Sequence, residues 1–397
     1  MSNWRVAHQC PQCGAPVTLD EEVRLFVCPY CRVRLCLASR DCFHYYLPGR
    51  DGAGDENFYL PYWRLRGMYF SCRSDRVKAR LLDSSIPAAT LAGLPSSLGI
   101  RPQAVPLRFL DGEVGTACLP RQRSLGQAVR AVAASQPAGG RGLYAAFVGE
   151  VATLIYLPVA CRRGEVVDGL DGRPLPGLSP EILRRQLEEK PPGPAWKLDF
   201  LPALCPACGW DLEGEPATLV FVCPNCARAW SATAAGLQPL AGHRLAVPLP
   251  AGARVLQVPF WRLRVAISGL ELDTVADLVR LANLARVVTP ELRRRELFFW
   301  LPAFKVQPRL FLRLAGLLTV SQPDDELEVL DGGQRFHPVT LPAAEALQSL
   351  RILLATLLKP RRRILPRLAG LRFAARETKL VYRPFVERGR EVVDAAL

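Results

Sequence analysis

Four short cysteine motifs constrain this chain more than any other feature of its sequence. In chain order they are Cys10-Pro11-Gln12-Cys13, Cys28-Pro29-Tyr30-Cys31, Cys205-Pro206-Ala207-Cys208 and Cys223-Pro224-Asn225-Cys226. Fourteen residues separate the two motifs of each pair. In a Cys-Pro-x-Cys turn, called a knuckle below, both sulfurs point at one metal ion, so each pair predicts a site with four thiolate ligands. Gly14 and Gly209 directly follow a knuckle and permit the left-handed backbone that such a turn often needs.

The residues between the knuckles predict how the two turns of a pair meet. Residues 17–19 and 24–27 form two short strands of a predicted hairpin, and residues 20–22 form its turn. In the second pair, residues 213–214 correspond to the turn and residues 218–222 to the second strand. A hairpin of this length brings the knuckles face to face. The four thiolates then close a tetrahedral site with no open position, which is typical of a structural ion.

The segments Cys10–Cys31 and Cys205–Cys226 resemble the zinc-ribbon family, which is familiar from transcription factors and RNA polymerase subunits. This resemblance implies two Zn²⁺ ions but says little about a partner, because ribbons bind DNA, RNA or protein, or only brace a fold. A rubredoxin-like iron site is the alternative, although rubredoxins space their knuckles much farther apart. The start of the chain has no apolar run typical of a secretory signal. We therefore expect a reducing, cytoplasmic compartment, in which cysteine pairs hold metal more often than they form disulfides.

The knuckles belong to a longer internal repeat. The first pair recurs at an offset of 195 residues, residues 60–66 (LPYWRLR) recur as 258–264 (VPFWRLR) at 198, and residues 154–168 recur as 380–394 at 226. Eight of the fifteen residues in the last match are identical. Three matches in one order predict an internally duplicated α+β protein, in which each half is a zinc ribbon followed by a small mixed α/β domain.

The repeat also predicts the domain boundaries. These are a first ribbon at 1–46, a first α+β repeat at 47–190, a Pro-rich linker at 191–199, a second ribbon at 200–242 and a second α+β repeat at 243–397. Because the offset grows from 198 to 226, the second half carries 28 extra residues. We place them between Phe304 and Arg376, as a basic helical insertion at about 309–375.

The apolar pattern gives a coarse set of elements. Residues 142–161 and 372–387 predict buried strands, since charges inside each stretch disfavour a membrane span. Helices are predicted over 124–135 and 341–359, and after the N-cap and proline pairs Ser179-Pro180 and Thr289-Pro290.

Four aspartates have local expectations. We expect Asp83 and Asp273 to cap or start helices. Asp168 and Asp394 are retained in both copies, which favours a shared turn or an arginine partner.

Two strands with a Trp-Arg pair are the candidate ligand-binding surfaces. At strand periodicity one face of each strand carries an aromatic residue and two arginines, namely Tyr62, Arg64 and Arg66, and Phe260, Arg262 and Arg264. Such a face can stack a base and hold phosphates. In the structural alternative, Trp63 and Trp261 anchor the core while the arginines meet acids on neighbouring strands.

The remaining cysteines favour packing over chemistry. Cys36, Cys42 and His44 follow the first ribbon and either belong to a further metal site or are ordinary buried groups, and we expect the latter. A second group, Cys72, Cys118 and Cys161, has no His or acidic partner nearby in sequence, so these cysteines are expected in the core.

Positive charge concentrates near the C-terminus. The formal net charge is +14, and residues 359–397 hold eleven Lys/Arg against four Asp/Glu. Beside the 341–359 helix, Arg361, Arg362 and Arg363 can contribute to a nucleic-acid surface or an anionic-membrane surface. A solvated basic face without a ligand is the alternative.

Motifs of known catalytic chemistry do not occur in the sequence: it contains no phosphate-binding loop, nucleophile elbow or HExxH. The sequence therefore favours a non-enzymatic zinc-binding platform for a macromolecule, with nucleic acid ahead of an acidic protein partner and no evident small-molecule substrate. The alternatives are a subunit of a larger enzyme complex and a peripheral membrane-surface protein that binds through residues 341–363.

Overall fold

The computed structural model describes residues 4–50, 56–72, 77–135, 144–189, 196–249, 252–323, 326–388 and 391–395. Residues up to 189 are called the N-terminal half below, and residues from 196 the C-terminal half. Both halves combine strands and helices, and the described part of the chain contains nine helices, so the fold is mixed α/β. Residues 190–195, which include most of the predicted linker, lie outside the described residues.

The elements run as follows. The N-terminal half contains β1 (Arg5–Gln9), β2 (Pro16–Asp20), β3 (Leu25–Val27), β4 (Arg34–Ala38), β5 (His44–Tyr46), β6 (Glu56–Cys72), β7 (Val77–Pro87), α1 (Arg101–Ala104), β8 (Arg108–Phe109), α2 (Gly112–Thr116), α3 (Leu125–Ser135), β9 (Tyr144–Arg162), β10 (Glu165–Asp168) and α4 (Pro180–Glu188). The C-terminal half contains β11 (Asp199–Pro202), β12 (Val220–Val222), β13 (Ala229–Thr233), β14 (Gly236–Leu240), β15 (Gly242–Leu245), β16 (Val255–Ser268), α5 (Val275–Leu281), α6 (Pro290–Arg294), β17 (Phe299–Pro302), α7 (Pro308–Ser321), β18 (Leu327–Val329), β19 (Arg335–Phe336), α8 (Ala343–Leu357), α9 (Arg361–Leu368), β20 (Arg372–Arg388) and β21 (Glu391–Asp394).

A pair of long antiparallel strands organises each half. The first large sheet has the order β7-β6-β9-β5-β8 with β10 on β9, and the second has the order β17-β16-β20-β15-β18 with β19 on β16 and β21 on β20. In both sheets a short strand, β5 or β15, runs parallel to the second long strand. The predicted strands at 142–161 and 372–387 are confirmed as β9 and β20.

Both long strand pairs contain a β-bulge. Gly149 and Val151 of β9 pair with consecutive residues of β6, so Glu150 is the extra residue. On β20, Ala375 and Glu377 pair with consecutive residues of β16, which makes Arg376 the extra residue. The two bulges lie 226 positions apart. A bulge bends its strand and increases its twist, so both sheets curve at corresponding points.

The same backbone bond follows the first edge strand of each sheet. The N–H of Ala88, just after β7, donates to the carbonyl of Pro61 at 2.8 Å. The N–H of Ala303, just after β17, donates to the carbonyl of Pro259 at 3.1 Å. The chain therefore leaves both sheets in the same way, past the proline that precedes the Trp-Arg motif by two residues.

The two tryptophans of the Trp-Arg strands are buried anchors. The indole N–H of Trp63 donates to the carbonyl of Arg123 at 2.7 Å, and that of Trp261 donates to the carbonyl of Leu341 at 2.8 Å. Each acceptor lies two residues before a helix, α3 or α8. Since a buried indole N–H needs a partner, these bonds fix where the two helices begin.

The predicted helix starts are confirmed. The hydroxyl of Ser179 accepts a hydrogen bond from the N–H of Ile182 at the start of α4, and Thr289 does the same for Leu292 at the start of α6. Proline occupies the first helical position in both, where its missing N–H leaves no bond unmade. The helices predicted at 124–135 and 341–359 are α3 and α8.

The expectation that Asp83 caps a helix is wrong. Asp83 lies inside β7, and its carboxylate accepts a hydrogen bond from Arg64 on β6. Neutralising a buried guanidinium here outweighs the poor strand propensity of Asp. Asp273 does lie at a helix start, although Thr274 is the N-cap residue of α5.

Each knuckle of the first ribbon forms the turn of its own hairpin, and this corrects the predicted pairing. β1 and β2 flank the first knuckle and pair with each other, while β3 pairs with β4 across the second knuckle. The strands predicted at 17–19 and 24–27 therefore exist, but they do not form one hairpin. The hydrogen bonds within each knuckle hold its own flanking strands together, and residues 21–24 cross between the two hairpins. In the second ribbon, β12 and β13 flank the last knuckle in the same way.

The two ribbons share a sheet. β11, which leads into the third knuckle, pairs antiparallel with β4 of the first ribbon and gives the order β11-β4-β3. In addition, the carbonyl of Pro216 accepts hydrogen bonds from the N–H groups of Arg24 at 2.6 Å and Leu25 at 3.0 Å. Each ribbon thus satisfies backbone groups of the other.

The two halves also share a hydrophobic core. Met68, Phe70 and Val148 of the first large sheet lie in one buried cluster with side chains of α8, including Leu350 and Leu353. The helix of the C-terminal half therefore packs on strands of the N-terminal half. The contact between the halves is therefore part of the buried interior of the protein.

A buried ion pair joins the first ribbon to the first large sheet. Glu21, between β2 and β3, and Arg64, on β6, are both fully buried, and Arg64 Nη2 lies 3.1 Å from Glu21 Oε1. The ring of Trp4 covers the guanidinium at 3.8 Å. Burial raises the pKa of Glu21 above its ordinary value, while the charge of Arg64 opposes that shift.

We expect the substitution Glu21→Gln to lower the free energy of unfolding by about 3 kcal/mol, because it removes one of the two carboxylates that neutralise buried Arg64. Urea denaturation followed by tryptophan fluorescence measures the change. The control is Glu213→Gln in the second ribbon, which removes an exposed carboxylate that pairs with Arg34 of the first ribbon. This substitution is expected to change stability little, because solvent screens the pair. Equally small effects of both substitutions would contradict an anchoring role for Glu21.

Candidate metal centres

All four knuckles have the same backbone conformation. The residue after the second cysteine has a left-handed φ in every case, at Gly14 (+72°), Arg32 (+63°), Gly209 (+73°) and Ala227 (+56°). Its N–H donates to the carbonyl of the first cysteine of the knuckle at 2.8–3.0 Å. The prediction for the two glycines is confirmed, and the same turn forms at two positions that lack glycine.

The knuckles bring the cysteines together in two groups of four. Within each group, the four Sγ atoms all lie within 4.8 Å of one another. Contacts between the knuckles are Cys10–Cys31 and Cys13–Cys28, both at 3.8 Å, Cys205–Cys226 at 3.6 Å and Cys208–Cys223 at 3.5 Å. The cysteines of both groups are free thiols. Each group can therefore hold one metal ion.

The backbone around each group favours ionisation of one particular cysteine. Burial opposes the ionisation of Cys28, but backbone N–H groups of its own knuckle lower its pKa to about 6. In the other group, the N–H of Trp210 lowers the pKa of Cys208 to about 6. Burial raises the pKa of Cys223 to about 12. Holding all four sulfurs as thiolates at these separations therefore requires a cation between them.

The first Trp-Arg strand lies in the interior of the protein. Tyr62 is fully buried, and its hydroxyl donates to the carbonyl of Pro95 at 3.0 Å. Arg64 is held by the two carboxylates described above, and Arg66 pairs with Glu22 at 2.7 Å. These contacts match the structural alternative, in which the arginines pair with acids of the same chain. Binding of a ligand by these residues stays a prediction.

The second Trp-Arg strand has a similar environment. Phe260 is fully buried. The guanidinium of Arg262 lies 3.5 Å from the ring centroid of Phe298, and Arg264 pairs with Glu296 at 2.5 Å. On both strands the aromatic residue thus packs in the core, while the arginines contact side chains of the same chain.

The predicted amphipathic segment at 341–363 packs into the protein. Ile352, Leu353 and Leu354 of α8 are fully buried, so its apolar face covers the shared core. Arg363 is exposed on α9, whereas the side chains of Arg361 and Arg362 lie outside the described part of the structure. Among the described helices, none combines the length and the hydropathy that crossing a bilayer requires.

The two repeated aspartates both have an arginine partner. Asp168 is buried and lies 2.9 Å from Arg101 Nε, and its other oxygen accepts the N–H of Leu170 in a turn. Asp394 lies 3.0 Å from Arg383 Nε. Both parts of the expectation, a turn and an arginine, are confirmed for Asp168.

A third group of ligand atoms lies just after the first ribbon. A carboxylate oxygen of Asp41, the sulfur of Cys42 and a ring nitrogen of His44 lie within 4.8 Å of one another. Cys36, in β4, is not part of this group. The sequence had singled out Cys42 and His44 but had missed Asp41, although it directly precedes Cys42.

Comparison with known proteins gives no relative: no family model matches the chain, and neither the curated proteins nor the solved structures contain a significant match. The metal centres are therefore interpreted from their own geometry.

The knuckle backbone gives a matched pair of substitutions. We expect Gly209→Ala to weaken Co²⁺ binding by the second ribbon about fivefold, since a Cβ at this left-handed position costs about 1 kcal/mol and meets no other atom within 4 Å. Ala227→Gly, at the equivalent position of the next knuckle, is expected to strengthen binding, because it relieves the same strain. Chelator competition measures both affinities. A change of the same sign in both variants would show that the turn conformation does not control binding.

Proposed function

We propose that each group of four cysteines binds Zn²⁺ as a permanent structural ion. A tetrahedron of sulfurs about 2.3 Å from zinc has edges of about 3.8 Å, close to the 3.5–3.8 Å contacts between the knuckles. Four soft thiolates favour Zn²⁺ over the hard cations Mg²⁺ and Ca²⁺. Since all four positions are filled by protein, the ions support the fold and leave no site for a substrate.

In this proposal the zinc ions also couple the two halves. β4 begins three residues after Cys31, and β11 ends three residues before Cys205, so a knuckle terminates each strand of the pairing that joins the ribbons. The position of each strand therefore depends on the metal beside it. Loss of one ion is expected to loosen both ribbons and not only its own.

Metal content tests this coupling. After dialysis against a chelator that strips weakly held metal, we expect elemental analysis to find two Zn²⁺ per chain, one in Cys208→Ala, and two in the control Cys161→Ala, which removes a buried cysteine outside both groups. In Cys208→Ala, hydrogen exchange is expected to accelerate in β4 of the first ribbon as well as in β11, because the two strands pair. Fewer than two ions in the unmodified chain, or exchange that changes only in the second ribbon, would contradict the proposal.

We further propose that the halves are copies of one ancestral unit. The bulges at Glu150 and Arg376, the two N–H bonds to proline carbonyls and the two indole bonds support this, since each occurs once per half at corresponding positions. On this alignment the offset is 198 at the Trp-Arg motifs, 215 between the last residues of β7 and β17, 218 between the indole acceptors and 226 at the bulges.

These offsets move the predicted insertion. Of the 28 extra residues, 17 fall between β16 and the end of β17, where α5 and α6 replace the direct hairpin from β6 to β7. Another 8 fall between the start of α8 and the bulge of β20, where α9 lies. On the proposed alignment the extra residues would thus be divided between these places, whereas the sequence analysis put them in one block at about 309–375. The sequence matches could not show this because no motif lies between the Trp-Arg strand and the last strand.

We also propose that the basic segment 359–376 binds a nucleic acid. This segment contains seven Lys/Arg and no acidic residue. Lys359, Arg363, Arg372 and Arg376 are exposed along α9 and the start of β20. Arg367 is exposed too, but it lines a groove with Glu271 and Asp273. Exposed arginines on a strand and a helix suit contacts to phosphates, whereas the arginines of the Trp-Arg strands contact other side chains.

Salt dependence tests nucleic-acid binding. We expect the triple variant Arg363→Gln, Arg372→Gln and Arg376→Gln to bind a single-stranded oligonucleotide at least tenfold more weakly, with a salt slope reduced by about 1 for each phosphate that the variant no longer neutralises. Fluorescence anisotropy at several salt concentrations measures both. The control removes the same charge from exposed sites elsewhere, with Arg108→Gln, Arg130→Gln and Arg185→Gln. Equal losses of affinity in both triple variants, or no binding by the unmodified chain, would exclude this activity.

Exposed side chains on the ribbons favour a protein partner as the second candidate. Tyr30, inside the second knuckle, is 64% exposed, and Trp210, just after the third, is 55% exposed. The two knuckles are neighbours, since Arg34 pairs with Asp211 at 3.7 Å. Aromatic side chains at rigid turns are typical of interface contacts. A stoichiometric partner that survives nuclease treatment, and is lost in Tyr30→Ala with Trp210→Ala, would favour this role over nucleic-acid binding.

A further inference from the structure

The loop between β4 and β5 carries a set of metal-ligand side chains that neither ribbon uses. Asp41, Cys42 and His44 present an oxygen, a sulfur and a nitrogen within 4.8 Å of one another. Their positions are fixed from both sides, because β4 belongs to the ribbon sheet and β5 belongs to the first large sheet. The loop is therefore held at the junction of two sheets.

His44 shows an unmet need for a partner. It is only 9% exposed, and among the described residues neither of its ring nitrogens has a hydrogen-bond partner. The ring stacks on Trp196, with centroids 5.1 Å apart, and Nε2 lies 3.5 Å from Asp41 Oδ2, beyond a normal hydrogen bond. Buried polar atoms in native proteins have partners with few exceptions, so an imidazole in this state calls for a group that the described part of the chain does not supply.

We propose that Asp41, Cys42 and His44 form a third metal site, distinct from both ribbons and additional to the proposed function. One thiolate, one imidazole and one carboxylate are the ligand types that zinc combines. A divalent ion bound by these groups would take the lone pair of a His44 ring nitrogen and the charges of Asp41 and Cys42. It would thereby satisfy the buried ring.

The proposed site differs from the ribbons in having an open position. It offers three protein ligands, whereas a tetrahedral zinc ion takes four. Asp41 and Cys42 line a cavity of about 560 Å³ between the two halves, whose wall also includes Ser124, Lys305 and Glu345. Because Asp41 and Cys42 border this space, water or a small anionic or thiol ligand can approach an ion that they hold. Three-ligand sites of this kind are typical of exchangeable or reactive zinc.

Arg121 competes with the ion for Asp41. Its Nη1 lies 3.8 Å from Asp41 Oδ2, but the side chain is 46% exposed and can turn into solvent. Displacing this pair lowers the affinity only modestly, because an exposed ion pair contributes little. With one ligand fewer than a ribbon and this competitor, the third site is expected to be the weakest of the three and the first to lose its metal.

The site belongs to the first half alone. β5 pairs with β9 through His44 and Leu154, while β15 pairs with β20 through Gly242 and Leu380. Leu154 and Leu380 are equivalent at the offset of 226 between the long strands. Their pairing partners His44 and Gly242 therefore correspond to each other, and Cys42 corresponds to Leu240. The second half thus has no equivalent of the two ligands, and the two halves are not interchangeable at this position.

Titration of the full-length, reduced chain with Co²⁺ tests the proposal. We expect saturation at three ions per chain, and at two in His44→Ala and in Cys42→Ser. The third ion forms one sulfur–cobalt bond, whereas each ribbon ion forms four. Its near-ultraviolet charge-transfer intensity is therefore expected to be about a quarter of that of one ribbon ion. The control Cys36→Ala removes a fully buried thiol six residues earlier, outside the group, and is expected to keep three ions.

Asp41→Asn serves as a second variant, because Asp41 is 42% exposed and its substitution leaves the packing of the loop intact. It is expected to release the third ion at a lower chelator concentration, with the two ribbon ions unaffected. Saturation of the unmodified chain at two ions, or three ions in His44→Ala, would overturn the third site while leaving the ribbon proposal in place. Saturation below two would instead overturn the ribbon proposal.

Discussion

The ion pair between Glu21 and Arg64 fixes the position of the first ribbon, and much of the molecule depends on that position. The chain crosses between the two ribbon hairpins at Glu21, and the next residue, Glu22, pairs with Arg66 and with Lys305 of the C-terminal half. Two consecutive acids thus tie one small module to both halves. A buried charge that loses its partner is costly, so placements of the ribbon that separate Glu21 from Arg64 are disfavoured.

Features that depend on neighbouring residues could be predicted from the sequence. The left-handed turn after Cys13, the cap at Ser179 and the long strand from Tyr144 each follow from a few adjacent residues, and the structure confirms them. The strands of the first ribbon were also placed correctly, but their partners were not. Pairing depends on which segments meet in space, and β3 meets β4 because the second knuckle joins them.

The contacts of the arginines could not be predicted for the same reason. The acids that hold Arg64 come from positions 21 and 83, one in a ribbon crossing and the other on the neighbouring strand. No local pattern links these acids to a Trp-Arg motif. The sequence alone therefore left two roles open for the arginines, ligand binding and pairing with acids of the same chain. The group around His44 is the opposite case. Its three potential ligand side chains lie within four residues, so the acid directly before Cys42 in the sequence is itself a local signal for this group.

The sheet shared by the ribbons has a consequence for how the protein is made. β4 ends at residue 38 and its partner β11 begins at residue 199, so about 160 residues must be synthesised before the first ribbon obtains its third strand. At ribosomal rates this takes on the order of ten seconds. During that time the edge of β4 exposes unpaired backbone groups to other nascent chains. The first ribbon therefore leaves the ribosome well before its sheet can be completed, and until then its open edge can pair with other chains.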